Sequence, residues 1–364
     1  MDDEVLKQLA PLREGIDAVD ARILELVNER ARLAQQVGEV KHRLGGVDTA
    51  VLRPEREAQV IRRLQQYNAG PVPNDAVKAV WSEIISACRG LERGLTVAYL
   101  GPEGTYSEHA ALAHFGHAIT TLPCQTFDDI FRAVEGRRAD VGIVPVENST
   151  EGAVNRTLDL LLASPLRILG ESSLMVRHCL MTQSGSMEGV TRVMAHPQAL
   201  AQCQGWLAQN AADLPREVAS SNADAARLAS QDPTVAAIAA ESTAHAWGLD
   251  LVATGIQDDP HNRTRFIAIG QEDTAMPSGK DKTSLILAVP NRAGAVVQML
   301  MPLSQNGVSM TRFESRPART GHWEYYFYVD IEGHRTEPAV AKALAELQAQ
   351  TAFFKVLGSY PAQL

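Results

Sequence analysis

Cysteine, aromatic residues and positive charge are all scarce in this chain. Its four cysteines, Cys88, Cys124, Cys179 and Cys203, lie far apart and form no C-x-x-C pair. That excludes a disulfide scaffold and a zinc–thiolate site, and leaves reduced thiols. The ten histidines show no metal-binding spacing, so neither a metal nor another cofactor is expected. A net charge of −9 without any basic stripe argues against a nucleic-acid partner. No apolar run approaches membrane-spanning length, and Met1-Asp2-Asp3-Glu4 is acidic where a signal peptide is basic. A cytoplasmic protein without a membrane partner is therefore expected. What remains is an ordinary soluble composition, 45% hydrophobic and 21% charged over 364 residues, long enough for two or three domains with real cores. The excess acid lies mostly in residues 95–270, and the segments on either side are nearly balanced.

Residues 1–94 read as helices. Pro11 suits the first turn of a helix that Gly45-Gly46 would stop. Between them Leu12, Ile16, Val19, Ile23, Leu26, Leu33, Val37 and Leu44 recur at helical spacing. Such a helix is about 50 Å long at ~1.5 Å per residue, too long for a small globule unless it packs lengthwise on partners. On a wheel of about 100° per residue, Arg30 and Lys41 fall within roughly 20° of each other in the middle of the apolar stripe. Glu14, Asp17, Glu25, Glu29, Arg32 and Glu39 lie outside it. Unpaired buried cations are costly, so both call for an anionic partner unless they snorkel at the stripe's edge. Arg13 lies about 100° from Arg30 and should point elsewhere, for example toward another subunit. A second helix begins near Arg53-Pro54 with Arg56 and Glu57 in its first turn. A third, from Pro73 to Arg93, sets Val77, Val80, Trp81, Ile84, Cys88, Leu91 and Glu92 near one face, with Cys88 and Glu92 neighbours on it.

This module resembles the all-helical chorismate mutases through Leu12-Arg13, Asp20, Glu29-Arg30, Val37-Gly38, Lys41 and Arg56-Glu57. The resemblance implies an intertwined homodimer in which Arg13 reaches the other subunit's site. Arg13 and Arg30 would hold the two carboxylates of chorismate, Lys41 and Glu92 its ether oxygen, and Glu57 its ring hydroxyl. Arg56 and Cys88 would be among the substrate contacts. The chemistry suits these groups. A pericyclic rearrangement to prephenate needs no nucleophile or base, only a flexible dicarboxylate held in its compact conformer and donors aimed at the oxygen on which charge grows. Arg53 departs from the acid that many members carry, and Glu92 stands where some have glutamine. A carboxylate cannot donate to an ether oxygen, so Glu92 would have to be protonated to act.

The stretch Val144-Pro145-Val146-Glu147-Asn148-Ser149-Thr150-Glu151-Gly152 ends an apolar run of buried-strand type and precedes the helical pattern Val154, Leu158, Leu161, Leu162. Polar groups between a strand end and a helix start sit where open α/β sheets bind small ligands, and a capped turn fits the same residues. Strands and helices alternate around it from Thr96 to Ile269, including a glycine-rich turn, Gly101–Thr105, before a helix that Ser107 can cap. That alternation predicts a largely parallel sheet arranged as two α/β lobes around a ligand cleft.

Four separated motifs here resemble prephenate dehydratase: Gly101-Pro-Glu-Gly-Thr105 with Ser107, Val144 to Ser149 with Glu151-Gly152, His196-Pro-Gln198 with Gln202-Cys203, and Thr264-Arg265-Phe266. The resemblance implies a two-lobed, periplasmic-binding-protein-like fold that fragments prephenate into phenylpyruvate, carbon dioxide and hydroxide. Aromatisation of the ring drives that step, so the enzyme need only help the hydroxyl leave and release the carboxylate. Thr264 is the implied donor to the leaving hydroxyl, within a network of Glu147, Asn148 and Gln202. Thr105, Ser107 and Ser149 would contact substrate. Arg265 has two candidate partners, a substrate carboxylate or Asp258. His196 reads as structural, and Ala195 stands where a serine often precedes His-Pro-Gln.

Gln271 to Lys282 is polar, contains Pro277-Ser278-Gly279, and reads as a linker. Beyond it come a strand over 284–289, a helix from Gly294 to Asn306, strands around Val308–Glu314 and Trp323–Ile331 turning at Thr320-Gly321, a helix from Glu337 to Gln350 and a strand at Phe354–Gly358. That βαββαβ order is ferredoxin-like. Gly294-Ala295-Val296-Val297 and Glu314-Ser315-Arg316-Pro317 resemble the ACT domain of the same enzymes. The implied effector is phenylalanine, bound between paired domains by Gly294, Ala295 and Val296 on one side, with Glu314, Ser315 and Arg316 organising the facing strand. A pairing unit without ligand is the alternative. Altogether the chain resembles the bifunctional chorismate mutase/prephenate dehydratases, as a homodimer or higher homo-oligomer with domains at 1–94, 95–270 and 283–364 and a linker at 271–282. Two other readings are a dehydratase preferring arogenate, and a two-lobed sensor without turnover.

Overall fold

The computed structural model describes residues 3–45, 52–274, 276–290, 292–318 and 325–363. Three helices come first: α1 (Asp3–Gly45), α2 (Pro54–Tyr67) and α3 (Asn74–Glu92). α1 is unbroken over 43 residues, about 64 Å at ~1.5 Å per residue. Pro11 lies inside it and not in its first turn, as expected from the sequence. The residues before it (Glu4 to Ala10) are mostly good helix formers, so the helix continues through the proline at the cost of a hydrogen bond. The stripe residues Leu12, Ile16, Val19, Ile23, Leu26, Leu33 and Val37 are each more than half exposed. The side chain of Leu44 lies outside the described residues. α1 packs on α3, and its half-buried residues Val27, Arg30, Ala31, Ala34, Gly38 and Lys41 form the adjoining face. Gly38 permits the close approach, since a Cβ there would lie 2.6 Å from Cγ of Glu92.

The first lobe follows: β1 (Leu95–Leu100), α4 (Tyr106–Phe115), β2 (Ile119–Cys124), α5 (Phe127–Glu135), β3 (Val141–Asn148), the short β4 (Gly152–Ala153), α6 (Asn155–Ala163) and β5 (Arg167–Met175). The chain crosses into a second lobe of β6 (Cys179–Thr182), β7 (Arg192–Ala195), α7 (Pro197–Gln202), α8 (Gln204–Asn210), β8 (Arg216–Val218), α9 (Asn222–Gln231), β9 (Val235–Ala239), α10 (Glu241–Trp247) and β10 (Asp250–Thr254). It then returns to the first as β11 (Arg263–Gly270). The two sheets run β2-β1-β3-β11-β5, with β4 beside β3, and β10-β6-β9-β7-β8. Neither is wholly parallel. β11 is antiparallel to β3 and β5, and β6 to β9 and β10. Strands that pass between the lobes are not fed by a crossover helix, and antiparallel pairing needs none.

The last unit is β12 (Asp281–Ala288), α11 (Ala295–Gln305), β13 (Met310–Pro317), β14 (Tyr325–Glu332), α12 (Pro338–Gln350) and β15 (Phe353–Pro361), an antiparallel sheet of order β13-β14-β12-β15. The expected turn at Thr320-Gly321, and Trp323, lie outside the described residues. This sheet shares a core with the first lobe, in which Ile168, Ile267, Leu158 and Leu161 meet Ile286, Tyr328, Leu357 and Tyr360. The segment before β12 is tied down. Arg62 of α2 donates to the carbonyls of Ser278 and Lys280, and Gln59 to that of Pro277.

Candidate active sites

The two lobes enclose a cleft of about 500 Å³, and strand alternation decides what faces it. β3 and β11 pair Asn148 with Thr264 and Glu147 with Arg265, and a bulge at Val146 separates these from Pro145 opposite Phe266. Pro145, Asn148, Thr264 and Phe266 line the cleft, while Glu147 and Arg265 take their partners from the opposite face. Bulges re-aim side chains beside functional sites, and this one immediately precedes Glu147-Asn148.

Asn148 is fully engaged. Its Oδ1 accepts from the backbone N–H of Thr150 at 3.0 Å and of Glu151 at 3.1 Å, which fixes the amide so that Nδ2 donates to Asn262 Oδ1 and Thr264 Oγ1, both at 2.9 Å. Thr264 Oγ1 is thereby an acceptor already, and its own proton is left to donate toward the cleft. From the other lobe, Gln202 Oε1 lies 2.9 Å from His178 Nε2, and its Nε2 donates to Glu151 Oε1 at 3.3 Å. The chain His178–Gln202–Glu151 spans the lobes. Burial lowers the His178 pKa, with the Gln202 hydrogen bond opposing, so the ring is neutral and donates through Nε2. Its Nδ1 is buried without a protein partner.

Leu100, Tyr106, Phe127, Val176 and Phe266 give the cleft an apolar and aromatic wall, and Ser107 at the start of α4 lines it too. No lysine or arginine is among the described residues lining it; besides hydroxyls, its polar lining consists of amides, two imidazoles and the Glu151 carboxylate. The Cys203 thiol is pushed up to about 12 by burial, with Asp258 nearby, so it offers no thiolate. Thr105 and Ser149 are occupied structurally. Thr105 caps α4 and donates to Leu100 O at 2.9 Å, and Ser149 Oγ accepts from Arg263 N at 2.9 Å. His196 caps α7, its Nδ1 accepting from Gln198 N at 3.3 Å.

Two expected substrate-site residues thus face away from the cleft. Arg265 is paired with Glu171 at 2.9 Å and Asp330 at 2.6 Å, neither a substrate carboxylate nor Asp258. Burial works against this cation, but Tyr360, Asp330 and Glu171 outweigh it and hold its pKa above the ordinary value. Glu147 accepts from Arg312 Nε at 2.8 Å. Alternation along a strand is the reason, since neighbours of cleft residues must point through the other side of the sheet.

In the helical module, Lys41 Nζ lies 2.9 Å from Glu92 Oε1, with Cys88 buried one turn back on α3. Arg30 is half-buried, and Arg13 and Arg56 are exposed. Glu57 is held by Arg89 at 2.6 Å, and Arg89 also donates to Phe115 O of the first lobe at 2.5 Å. Arg13 and Lys41 are on one continuous helix, so they are about 42 Å apart at ~1.5 Å per residue. They cannot grip the same small molecule within one chain. In the C-terminal unit Gly294 has φ +79° ahead of α11, a backbone state that favours glycine. Val296 and Val297 are exposed, and Arg316 is paired with Asp159 of α6 at 3.0 Å.

His178 and Asn262 were not singled out from the sequence. Asn262 sits two residues before Thr264, and that spacing was the available signal; His178 gave none beyond adjacency to an apolar strand.

Residues 12–93 match the chorismate mutase type II family, 97–274 the prephenate dehydratase family and 283–349 the ACT domain. A bifunctional chorismate mutase/prephenate dehydratase of Neisseria gonorrhoeae is 49% identical over 364 residues, covering 99% of each chain. One from Aquifex aeolicus is 41% identical over 363 residues, also 99% of each. A crystal structure of the prephenate dehydratase from Arthrobacter aurescens in complex with L-Phe covers 73% of this chain and 90% of its own, with 35% identity and a TM-score of 0.68. The chain belongs to the bifunctional chorismate mutase/prephenate dehydratases, with its mutase, dehydratase and ACT modules in that order.

Proposed function

We propose that residues 1–94 convert chorismate to prephenate, that residues 95–270 convert prephenate to phenylpyruvate in the cleft at Asn148 and Thr264, and that phenylalanine bound by residues 283–364 inhibits the chain, with 271–282 joining the last two. The observation that carries the dehydratase assignment is the Asn148–Thr264 contact of 2.9 Å. An amide locked by two backbone donors donates a hydrogen bond to the Thr264 hydroxyl, and that hydroxyl donates a hydrogen bond, without giving up its proton, to the departing oxygen of prephenate. The bond from the ring to the carboxylate breaks, its electron pair aromatises the ring, and hydroxide leaves with hydrogen-bond assistance. Gln202 and Glu151 close the cleft over the ring, the α4 start with Ser107 receives a carboxylate, and Phe127 and Phe266 flank the ring.

For the mutase, Lys41 and Glu92 take the ether oxygen and Arg30 a carboxylate of one site, while Arg13 completes the site of a second subunit. The 42 Å separation along one helix and the uncovered stripe of α1 support that homodimer. Gly294 to Val296, with Glu314 to Arg316, form the phenylalanine site, and the enzyme works in the cytoplasm. Thr264→Ala tests the reading. It should reduce phenylpyruvate formation by about 10²-fold or more while chorismate consumption stays at the wild-type rate. Loss of both activities in a folded variant would contradict two separate sites.

A further inference from the structure

The two residues directly behind the cleft pair are both held by the C-terminal sheet, and they are held unequally. Arg265, behind Thr264, is saturated: Glu171 and Asp330 take its charge and Tyr360 accepts from Nη2 at 3.1 Å. Asp330 is itself fixed by Ser284 at 2.6 Å, and Glu171 by Lys282 at 2.8 Å. Glu147, behind Asn148, has a single ion pair among the described residues, with Arg312. That guanidinium is largely buried, yet its Nη2 finds no partner. A small cavity lined by Arg265, Arg312, Asp330 and Val146 lies beside it.

Three further features make this contact the movable one. β13, which carries Arg312, is an edge strand that pairs with β14 alone among the described strands, and its far end reaches α6 through Arg316 and Asp159. Two residues on, the same strand carries Glu314, then Ser315 and Arg316. On the other side, the bulge at Val146 gives β3 a residue unmatched by β11, immediately before Glu147. A displacement of β13 would therefore act on the strand position adjoining Asn148, whereas Arg265 is held from β5 and β14. Packed interfaces of this kind switch between discrete arrangements more readily than they stretch.

We propose that Arg312 is a coupling residue between the C-terminal domain and the cleft: its contact with Glu147 joins β13 to the strand end that carries Asn148, and through it an occupied C-terminal domain changes the cleft. The inference rests on the reading that phenylalanine binds that domain and inhibits the cleft reaction. Coupling between sites is a difference in affinity between two states, so removing the link should leave both binding events and abolish their communication.

The test uses the full chain, with phenylalanine binding measured by calorimetry and phenylpyruvate formation measured with and without saturating phenylalanine. Arg312→Gln should bind phenylalanine within about threefold of wild type and turn over prephenate within about fivefold of it, but its inhibition should shrink by about tenfold or more. Arg312→Lys, which keeps a cation opposite Glu147, should be inhibited to an intermediate degree, and serves if the glutamine variant does not fold. Lys355→Met is the control. Lys355 donates to the carbonyls of Leu161, Leu162 and Ser164 in the same domain interface but away from β3, and its inhibition should be retained. Full inhibition of Arg312→Gln, or equal loss in Lys355→Met, overturns the proposal. A wild-type chain that phenylalanine neither binds nor inhibits would instead defeat the underlying reading.

Discussion

The mutase helices and the dehydratase cleft are built on opposite plans. In the cleft, residues from positions as distant as Asn148, Gln202 and Thr264 converge within one chain, and Asn148 uses all four of its hydrogen-bonding positions. Along α1, Lys41 meets Glu92, but Arg13 stands about 42 Å away at ~1.5 Å per residue. Seven stripe side chains are left uncovered. Fully burying such a side chain is worth roughly 1.5–3 kcal/mol; these are about half buried already, so covering the stripe contributes about 6–12 kcal/mol, of the order of common costs of association. Folding completes the cleft; on the proposed reading, the mutase site needs a second chain.

The largest expected effect that sharpens this contrast concerns the seam between the two modules. The His114 ring is enclosed against α3, and burial, with Lys78 and Arg89 nearby, lowers its pKa to about 4 from the ordinary 6.5. Between those values the unfolded chain binds a proton that the folded chain refuses. Stability should therefore be full above pH 6.5 and fall as pH drops toward 4. The residue keeps a little exposed surface, so the contribution is discounted to about 2 kcal/mol. His114→Gln should remove this part of the acid dependence of the urea midpoint. An unchanged slope would mean that the seam is not acid-sensitive through His114.

A smaller effect separates the chemistries. Glu92→Gln retains a group able to donate to the ether oxygen at any pH. Its mutase rate should exceed the wild-type rate by up to about tenfold, with the dehydratase profile unaltered. Identical mutase rates would remove Glu92 from the mutase mechanism.

The legible part of the sequence was local. Helical spacing in α1, the strand-to-helix run around Asn148 and the βαββαβ order each followed from short-range periodicity. What escaped depended on the direction in which a strand is paired. The antiparallel return of β11 puts Thr264 against Asn148, and no pattern within 263–270 announces that partner. The same alternation turned Arg265 and Glu147 away from the substrate side, although both lie inside motifs that name the cleft. The α1 stripe was read correctly as apolar, but a wheel cannot say whether its cover is another helix of the same chain or a second copy.

The most direct test of the contrast is complementation between two dead mutases. Arg13→Ala and Lys41→Ala chains, each lacking mutase activity alone, are refolded together, and chorismate consumption and phenylpyruvate formation from prephenate are both followed. If α1 is shared between subunits, each hybrid dimer has one site with both defects and one with neither. Random pairing then restores about a quarter of wild-type mutase activity, while dehydratase activity is constant in every sample. No recovery of mutase activity in a mixture shown to contain hybrid dimers would contradict the account.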